Sequence, residues 1–563
     1  MKKYILRERL DTDLLDHLLF HRGHRSTEDK VNFLNPDYEK HTHDPFLLKD
    51  ARKASERIIK AIENNEKVVI YSDYDTDGIP AGVALHDLFK KIGFANFINY
   101  IPHRHDEGFG LNEDAIKQFI GDKVELLITI DCGIADIGHV EFAQSNGIDV
   151  IITDHHLPGP QLPPAFAIVN PKQSDCEYPE KMLCGAGVIY KLIQAILAKN
   201  RFGIKEGWEK WLLDMVGIAT LSDMVPLTGE NRIFAYYGLS VLRKSPRKGL
   251  MRLLAKLKVN QRFLTEEDIG FTIGPRINAA SRMGVPMDAF RLLATQDDDE
   301  AERYAIHLDH INNERKGTVA SLVKDVKKKV HERYGDKPDT VIVIGNPEWK
   351  PSLLGLAANN IAEEFQVPVF IWGRDGDNII KGSCRAAGSA HLLDLMQGTL
   401  EGTFMQYGGH AESGGFSVDV RAIHNLEKNL SEVFERIRGE KREDIEYVDS
   451  EITPDDVNYD TYRVIEKMAP YGTGNPKPIF MFRDIVLSDV QRFGKEKNHL
   501  KLIMQKSSGQ NLSAIGFFMS PDDFENKLDK KLEKDAKVSL IATMEKSLFG
   551  GKTELRLRIV DII

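Results

Sequence analysis

From Ala51 onward, segments in which apolar residues recur every three or four positions alternate with short runs of consecutive aliphatic residues. The first spacing marks amphipathic helices and the second marks strands buried on both faces. A helix is predicted over roughly 51–64. Strands follow at Lys67–Tyr71, Phe97–Ile101, Leu126–Ile130, Val150–Thr153 and Ala167–Val169, with helical spacing between them. Strands joined through helices are βαβ units and build a parallel sheet. The first four run into the polar residues Asp73, His103, Asp131 and Asp154. Open α/β sheets bind ligands beyond the carboxyl ends of their strands, so that placement already points to a site.

Residues 1–50 read as a short helical preface ending near His43-Asp44-Pro45. The stretch 295–335 predicts one long helical linker, free of proline up to Tyr334 and with Gly317 as its only internal glycine. A second, smaller α/β segment spans 336–450, with strands at Val341–Ile344 and Val367–Ile371 and the glycine-rich stretch Gly408–Gly415. Residues 451–563 hold a loop cluster (Pro470, Gly472, Gly474, Pro476, Pro478), then the β-type runs Ile479–Phe482, Leu500–Met504, Leu512–Phe518, Val538–Met544 and Glu554–Ile559. Five short strands suggest a small barrel, for which the oligonucleotide-binding fold is the commonest candidate.

The 563 residues are 42% hydrophobic and 28% charged, a globular balance that excludes disorder and suits three or four domains. No apolar run is long enough to span a bilayer, so no membrane association is expected. The N-terminal MKKYILRERLDTD has lysines but no apolar stretch behind them, unlike a secretory signal. Cys132, Cys176, Cys184 and Cys384 form no CxxC pair, which argues against a disulfide scaffold or a structural zinc and for a reducing, cytoplasmic setting. A net charge of −10 gives no global attraction to nucleic acid. Locally the balance reverses, because residues 231–265 contain no acid and nine Lys or Arg. Two readings of that segment stay open, a solvated helical face and a track for a phosphate backbone.

The chemistry concentrates in three places. Asp73-Tyr74-Asp75-Thr76-Asp77-Gly78 follows a strand, and closely spaced carboxylates repel one another unless a cation joins them. A calcium-binding EF-hand loop would need Glu at its twelfth position, which here is Ala84. Asp131-Cys132-Gly133 and Asp154-His155-His156 end two further strands that a parallel sheet sets beside the first. One such aspartate would be an ordinary cap, but three clusters at successive strand ends are not. Carboxylates with an imidazole suit Mn²⁺, Mg²⁺ or Zn²⁺, and the oxygen majority favours manganese or magnesium. A pair of such ions serves phosphate-ester hydrolysis.

These motifs are similar to those of the DHH phosphoesterase superfamily: DYDTDG, IPHRHDEGFG, TIDCGI, TDHH with Asn170-Pro171, and GPRINAAS. Within it they resemble most the RecJ-type exonucleases. The likeness continues in Tyr407-Gly408-Gly409-His410 with Gly414-Gly415-Phe416, a DHHA1-type signature, and in Ala469-Pro470-Tyr471-Gly472-Thr473-Gly474-Asn475-Pro476, which leads into the barrel. The resemblance implies an α/β protein: a parallel-sheet DHH domain over 51–294, the helical linker, a DHHA1 domain and an oligonucleotide-binding barrel. It implies 5′→3′ hydrolysis of single-stranded DNA to mononucleotides, with two Mn²⁺ or Mg²⁺ ions, in DNA repair and recombination. Single-strand-binding protein or a helicase are the partners it suggests, and a monomer the expected state.

On the same resemblance Asp75 and Asp131 hold one ion, while Asp77, Asp131, His155 and Asp223 hold the other, Asp131 bridging. Asp73 and Asp154 stand behind the ligands and orient them, and His156 touches the scissile phosphate. Arg276 offers a planar fork to a phosphate, and Asn278 and His410 join the substrate-binding set. Arg104, Ser383 and Arg385 resemble a pocket for a terminal 5′-phosphate. Phe109 replaces a common Tyr as an aromatic platform for a base; a place in the core is the other reading. A channel between the two α/β domains, too narrow for a duplex, would restrict the enzyme to single strands.

The chain departs from the family pattern at Trp349-Lys350-Pro351-Ser352-Leu353-Leu354-Gly355, where a Trp-His-x-Gly-Val-x-Gly run is frequent. It also departs at Ser281, at Ala386, and in the run Thr220-Leu221-Ser222-Asp223, more usually T-x-A-D. Two other functions compete. A DHH phosphodiesterase of short oligonucleotides or cyclic dinucleotides would lack the basic segment and the barrel. A non-catalytic DNA-binding replication scaffold would have lost the metal ligands.

Overall fold

Five parallel strands form the first sheet, in the spatial order Phe97–Tyr100, Val68–Ser72, Leu126–Ile130, Asp149–Thr153 and Ala167–Val169. The structure is a computed structural model and describes residues 2–375, 379–387, 390–409, 411–437, 445–494, 497–528, 531–549 and 552–563. Every residue of Val68–Ser72 and Leu126–Ile130 is buried, as an aliphatic strand covered on both faces requires. Ile70, Leu126 and Ile128 pack into one core with the helices Ala51–Glu63, Gly78–Ile92 and Gly185–Lys199. Val69, Leu127, Val150 and Ile152 pack the other face with Glu113–Gly121 and Ile137–Ser145.

Strand order reverses between Val68–Ser72 and Leu126–Ile130, which makes their carboxyl ends the crevice where doubly wound sheets bind ligands. Register then sets the acids level. Asp73 N donates to Ile130 O (3.0 Å), Asp131 N to Thr153 O (2.9 Å) and Asp154 N to Val169 O (3.1 Å). Each aspartate is thus the first residue past its strand, tied to the last residue of the next.

The long helix runs Asp298–Tyr334, 37 residues capped by Asp297, whose Oδ1 accepts from Glu300 N at 2.7 Å. At 1.5 Å per residue it is about 55 Å long. It packs on Lys248–Leu257 and Gly274–Met283 of the first domain and on Pro351–Phe365 of the second. The second sheet is mixed, in the order Gln406–Gly409, Ser413–Asp419, Ile379–Arg385, Val369–Asp375, Ile342–Gly345. In the C-terminal domain Phe480–Phe493 pairs with both His499–Gln505 and Lys537–Phe549, so the strand pairing returns to its first member as in a barrel. Among the described residues no helix is long and apolar enough to cross a membrane.

Two expectations change. The preface contains the helices Leu14–His21 and Thr27–Leu34, but opens with a strand, Lys3–Leu6, paired in parallel with Ile445–Val448. Leu18, Leu19 and Phe33 bury with Phe480, Leu500 and Leu540 of the barrel. The basic segment is divided in its work. Arg247 is buried between Asp87 and Asp214, each 2.7 Å away, and Lys248 and Arg252 pair with Asp298. Arg247 thus holds helices of the domain together, while Lys248 and Arg252 share the charge of Asp298 at the surface.

Candidate metal centre

Two loops and two helix ends converge above Asp131. Asp75 Oδ1 accepts from Asp77 N (2.7 Å) and Gly78 N (3.1 Å), closing the turn that opens the helix Gly78–Ile92. Asp77 reaches across to another helix: its Oδ2 and Oδ1 accept from Gly185 N (2.6 Å) and Ala186 N (2.8 Å). These are free N–H groups of the first turn of Gly185–Lys199, where the helix dipole favours an anion. Gly185 is required, because a Cβ there would lie 2.7 Å from Asp131 Cβ. Asp131 itself sits at φ +61°, a left-handed conformation uncommon outside glycine and typical of functional sites.

The histidines are oriented by their Nδ1 partners. His155 Nδ1 faces the Leu183 carbonyl at 3.0 Å, and a carbonyl only accepts, so Nδ1 carries the proton. The lone pair of Nε2 points at Asp131 Oδ1 (3.2 Å) and Asp77 Oδ2 (3.7 Å). Burial and the neighbouring His156 hold His155 down to about 3, so it is neutral and free to ligate. His156 is the opposite case. Burial alone would lower it, but the hydrogen bond and charge of Asp154 carry it up to about 9. Burial would equally raise Asp154, yet the bonds from His156 and from Ile134 N keep it below the usual range.

The remaining acids repel each other. Burial, then Asp75, lifts Asp73 well above its ordinary value, and burial, then Asp77, does the same for Asp131. Asp77 rises to about 7 and Asp223 to about 8 from burial and like charge. Asp73 Oδ1 and Asp131 Oδ1 are buried without a hydrogen-bond partner, which is costly unless a cation completes them. Three ligand sets have donor atoms within 4.8 Å of one another: Asp73, Asp75, Asp131; Asp77, His155, Asp223; and Asp131, His155, His156. The donors are carboxylate oxygens with none, one or two imidazole nitrogens per set, a chemistry that fits Mn²⁺ or Mg²⁺. Asp73 was expected behind the ligands; its free oxygen lies among them.

Arginines line the side nearest Asp75. Burial lowers Arg282 to about 10, with Arg104, Arg315 and Arg385 adding like charge and Asp75 opposing it. These four come from a strand-end loop, the helix Gly274–Met283, the long helix and the strand Ile379–Arg385. Ser383 and Arg385 lie together over Gly355, where a Cβ would stand 3.0 Å from Arg385 Nη2. Arg282 Nη1 donates to Ser352 O (2.9 Å) and Ser352 Oγ to Arg282 O (3.2 Å), so the departure at Ser352 joins the two domains. Ser281, another departure, is buried with its hydroxyl on Asn278 O (3.1 Å). Asn278 and Arg282 line a cleft of about 480 Å³ that reaches Ser222, beside Asp223.

Sequence reasoning missed Arg282 and Arg315. Arg282 directly follows the GPRINAAS motif, a signal that was available, whereas Arg315 lies unmarked in the long helix. Arg276 takes a different place from the one expected. Its guanidinium faces Asp309 Oδ1 (3.1 Å) and Thr272 O (3.0 Å), so its fork is occupied within the protein. Phe109 is 54% exposed and stands edge-on to His156, with ring centroids 5.7 Å apart, which removes the core reading. His410 lies outside the described residues.

With that geometry in place, the comparisons with known proteins are specific. Three family models match in sequence order: the DHH family N-terminal domain over 67–220, the DHHA1 domain over 338–438 and the RecJ OB domain over 448–561. The single-stranded-DNA-specific exonuclease RecJ of Haemophilus influenzae is 31% identical, the match covering 92% of each chain. The chain belongs to the RecJ family. RecJ of Bacillus subtilis is 33% identical over 98% of this chain and 68% of its own. The crystal structure of Thermus thermophilus RecJ in complex with Mn²⁺ superposes with a TM-score of 0.80 at 25% identity, covering 98% of this chain and 76% of that one. That RecJ binds manganese agrees with the oxygen-rich donor set found here.

Proposed function

We propose that this chain is a metal-dependent exonuclease that degrades single-stranded DNA from the 5′ end to mononucleotides, in DNA repair and recombination. The observation that carries the reading is the three overlapping ligand sets at the reversal point of the sheet, in which His155 Nε2, 3.2 Å from Asp131 Oδ1, links the Asp73, Asp75, Asp131 group to the Asp77, Asp223 group. Asp73, Asp75 and Asp131 would hold one Mn²⁺ or Mg²⁺ ion, and Asp77, Asp131, His155 and Asp223 the other. Such a pair supplies an acidified water and positive charge for the phosphoryl oxygens.

The chain's own groups do the rest. Asp154 keeps His156 protonated, so its Nε2–H can donate to an oxygen of the scissile phosphate. Arg104, Ser383 and Arg385 would take the terminal phosphate, and that pocket would give the 5′ polarity. A compact phosphodiesterase of small substrates has no use for the barrel, and a scaffold has no use for unpaired buried carboxylates. The reading makes a single-strand-binding protein or a helicase the partner to seek by co-purification, and a monomer the working unit.

The test is product length from 5′- and 3′-labelled single-stranded and duplex DNA in Mn²⁺. Mononucleotides from the 5′ end of single strands are expected, with hydrolysis abolished in Asp131→Ala. Turnover by that variant would overturn the shared-ligand role. Equal losses of Arg385→Ala on phosphorylated and unphosphorylated ends would overturn the pocket.

A further inference from the structure

Two turns on the surface of the first domain are clamped side by side. Gln261 Nε2 donates to Leu242 O (2.9 Å) and Ser245 O (2.8 Å), and Arg243 donates to Leu264 O through Nε (2.9 Å) and Nη2 (2.7 Å). Lys244 follows Arg243 in one turn and Arg262 follows Gln261 in the other, so the clamp brings both exposed cations onto adjoining turns. Lys256 and Lys258 join them from the end of the helix Lys248–Leu257, whose Leu250, Leu253 and Leu254 face the core. Among the described residues no carboxylate pairs with these four cations, unlike Lys248 and Arg252 a turn or two away. Phe263, 64% exposed, follows Arg262 directly in the chain.

Like charges gathered without counter-charges destabilise a fold, and four unpaired cations with no acid between residues 231 and 265 are unusual in a chain of net charge −10. The surface also has a direction. Immediately after Leu264 the chain enters Glu266, Glu267 and Phe271, which line the cleft leading to Asn278 and Ser222. Arg262 thus lies four residues along the chain from the first of these lining residues. We infer that Lys244, Lys256, Lys258 and Arg262 form an accessory track that holds phosphates of a DNA strand outside the metal cleft. Phe263 supplies a face on which a base can stack. A mixed, solvated face would carry acids among the cations; a phosphate backbone supplies them from outside. The identity of the polymer rests on the nuclease reading above, while the track itself does not.

The experiment compares the wild-type chain with two variants in which Lys244, Lys256, Lys258 and Arg262 are all replaced by Gln or all by Glu. Binding of a long fluorescent deoxyoligonucleotide is followed by anisotropy in EDTA across a salt series. Loss of four single-strand phosphate contacts should reduce the slope of log K against log salt by roughly 3 and weaken low-salt binding by at least about tenfold. The Gln variant, which relieves repulsion, guards against misfolding and should melt at or slightly above the wild-type temperature. Hydrolysis of a short strand in Mn²⁺ should proceed at the wild-type rate in both variants. An equal slope for wild type and the Gln variant overturns the track. So does polyglutamate binding the wild type more tightly than DNA, which would assign the surface to an acidic protein. If the wild type degrades no DNA while the slope difference persists, the nuclease reading fails and the track stands.

Discussion

Asp154 Oδ1 accepts from His156 Nδ1 at 2.8 Å, and also from the backbone N–H groups of His155 (2.7 Å) and His156 (3.0 Å). Its Oδ2 accepts from Ile134 N at 3.0 Å. One carboxylate thus fixes both histidines and the loop after Asp131. An amide has a single acceptor oxygen, so Asp154→Asn cannot serve both sides. We expect kcat to fall on the order of 10²–10⁴-fold through a misoriented imidazole, with KM nearly unchanged and Mn²⁺ affinity weakened by roughly 10–100-fold at most because His155 is held by the same carboxylate. A loss confined to metal affinity, read by titration calorimetry, would contradict the orienting role.

Gly185→Ala should be severe for a different reason. The new Cβ would sit 2.7 Å from Asp131 Cβ, while the Gly185 N–H must stay on Asp77 Oδ2. One of the two aspartates has to move, at a cost of about 1–3 kcal/mol for an overpacked site. Weaker Mn²⁺ binding and lost hydrolysis are expected, with the secondary structure unchanged by circular dichroism. Wild-type metal affinity in Gly185→Ala would show that the close approach is dispensable.

Why some of this could be read in advance follows from the range of the interactions. The strands and their acids are local: a run such as Leu126–Ile130 declares itself, and its flanking Asp131 comes with it. Even the level alignment of Asp73, Asp131 and Asp154 follows from parallel pairing of those runs. What stayed hidden was set by partners far along the chain. Gly185 lies 108 residues from the Asp77 it serves. Arg276 finds Asp309, and Arg247 finds Asp87, through helix packing that no local pattern announces. Lys3–Leu6 looked like part of a helical preface because its strand partner begins at Ile445.

The repelling carboxylates predict how metal and pH combine. Asp77 titrates at about 7 and Asp223 at about 8 in the metal-free fold, against roughly 3.9 for an unfolded aspartate. Between these values the folded state holds protons that the unfolded state has lost, so metal-free stability falls as pH rises through that window. Metal binding needs the carboxylates ionised and should therefore gain over the same range. We expect the melting-temperature difference between protein in Mn²⁺ and protein in EDTA to widen from pH 5 to pH 8 by differential scanning fluorimetry, a range bracketed by roughly the values above. A constant difference would mean that these acids do not face the ion.

Arg232 joins the three parts that the chain keeps apart in sequence. Its guanidinium donates to the carbonyls of Phe33 (3.1 Å), Met468 (3.1 Å), Ala469 (3.2 Å) and Pro470 (3.4 Å), and lies 3.6 Å above the Phe33 ring. Burial lowers it to about 10, so it remains charged at neutral pH. The acceptors are backbone groups of the N-terminal segment and of the connector into the barrel, so this side chain helps to seat the barrel, together with Leu227 N on Thr473 O (2.7 Å) and Lys477 on Glu267 (2.9 Å). Arg232→Met keeps much of the stem and removes every donor, leaving the Phe33 and Ala469 carbonyls without one at a cost of about 1–3 kcal/mol each, while Asn475 Nδ2 still serves those of Met468 and Pro470. Arg232→Lys restores the charge but not the planar fork. Both variants should show a lower unfolding temperature and faster proteolysis between Met468 and Pro478. Hydrolysis of short strands should survive, because Arg232 touches none of the metal ligands. Degradation of long strands should slow, since they alone need the barrel held in line with the cleft. Equal slowing on short and long strands would show that Arg232 acts on the catalytic domain itself and does not anchor the barrel.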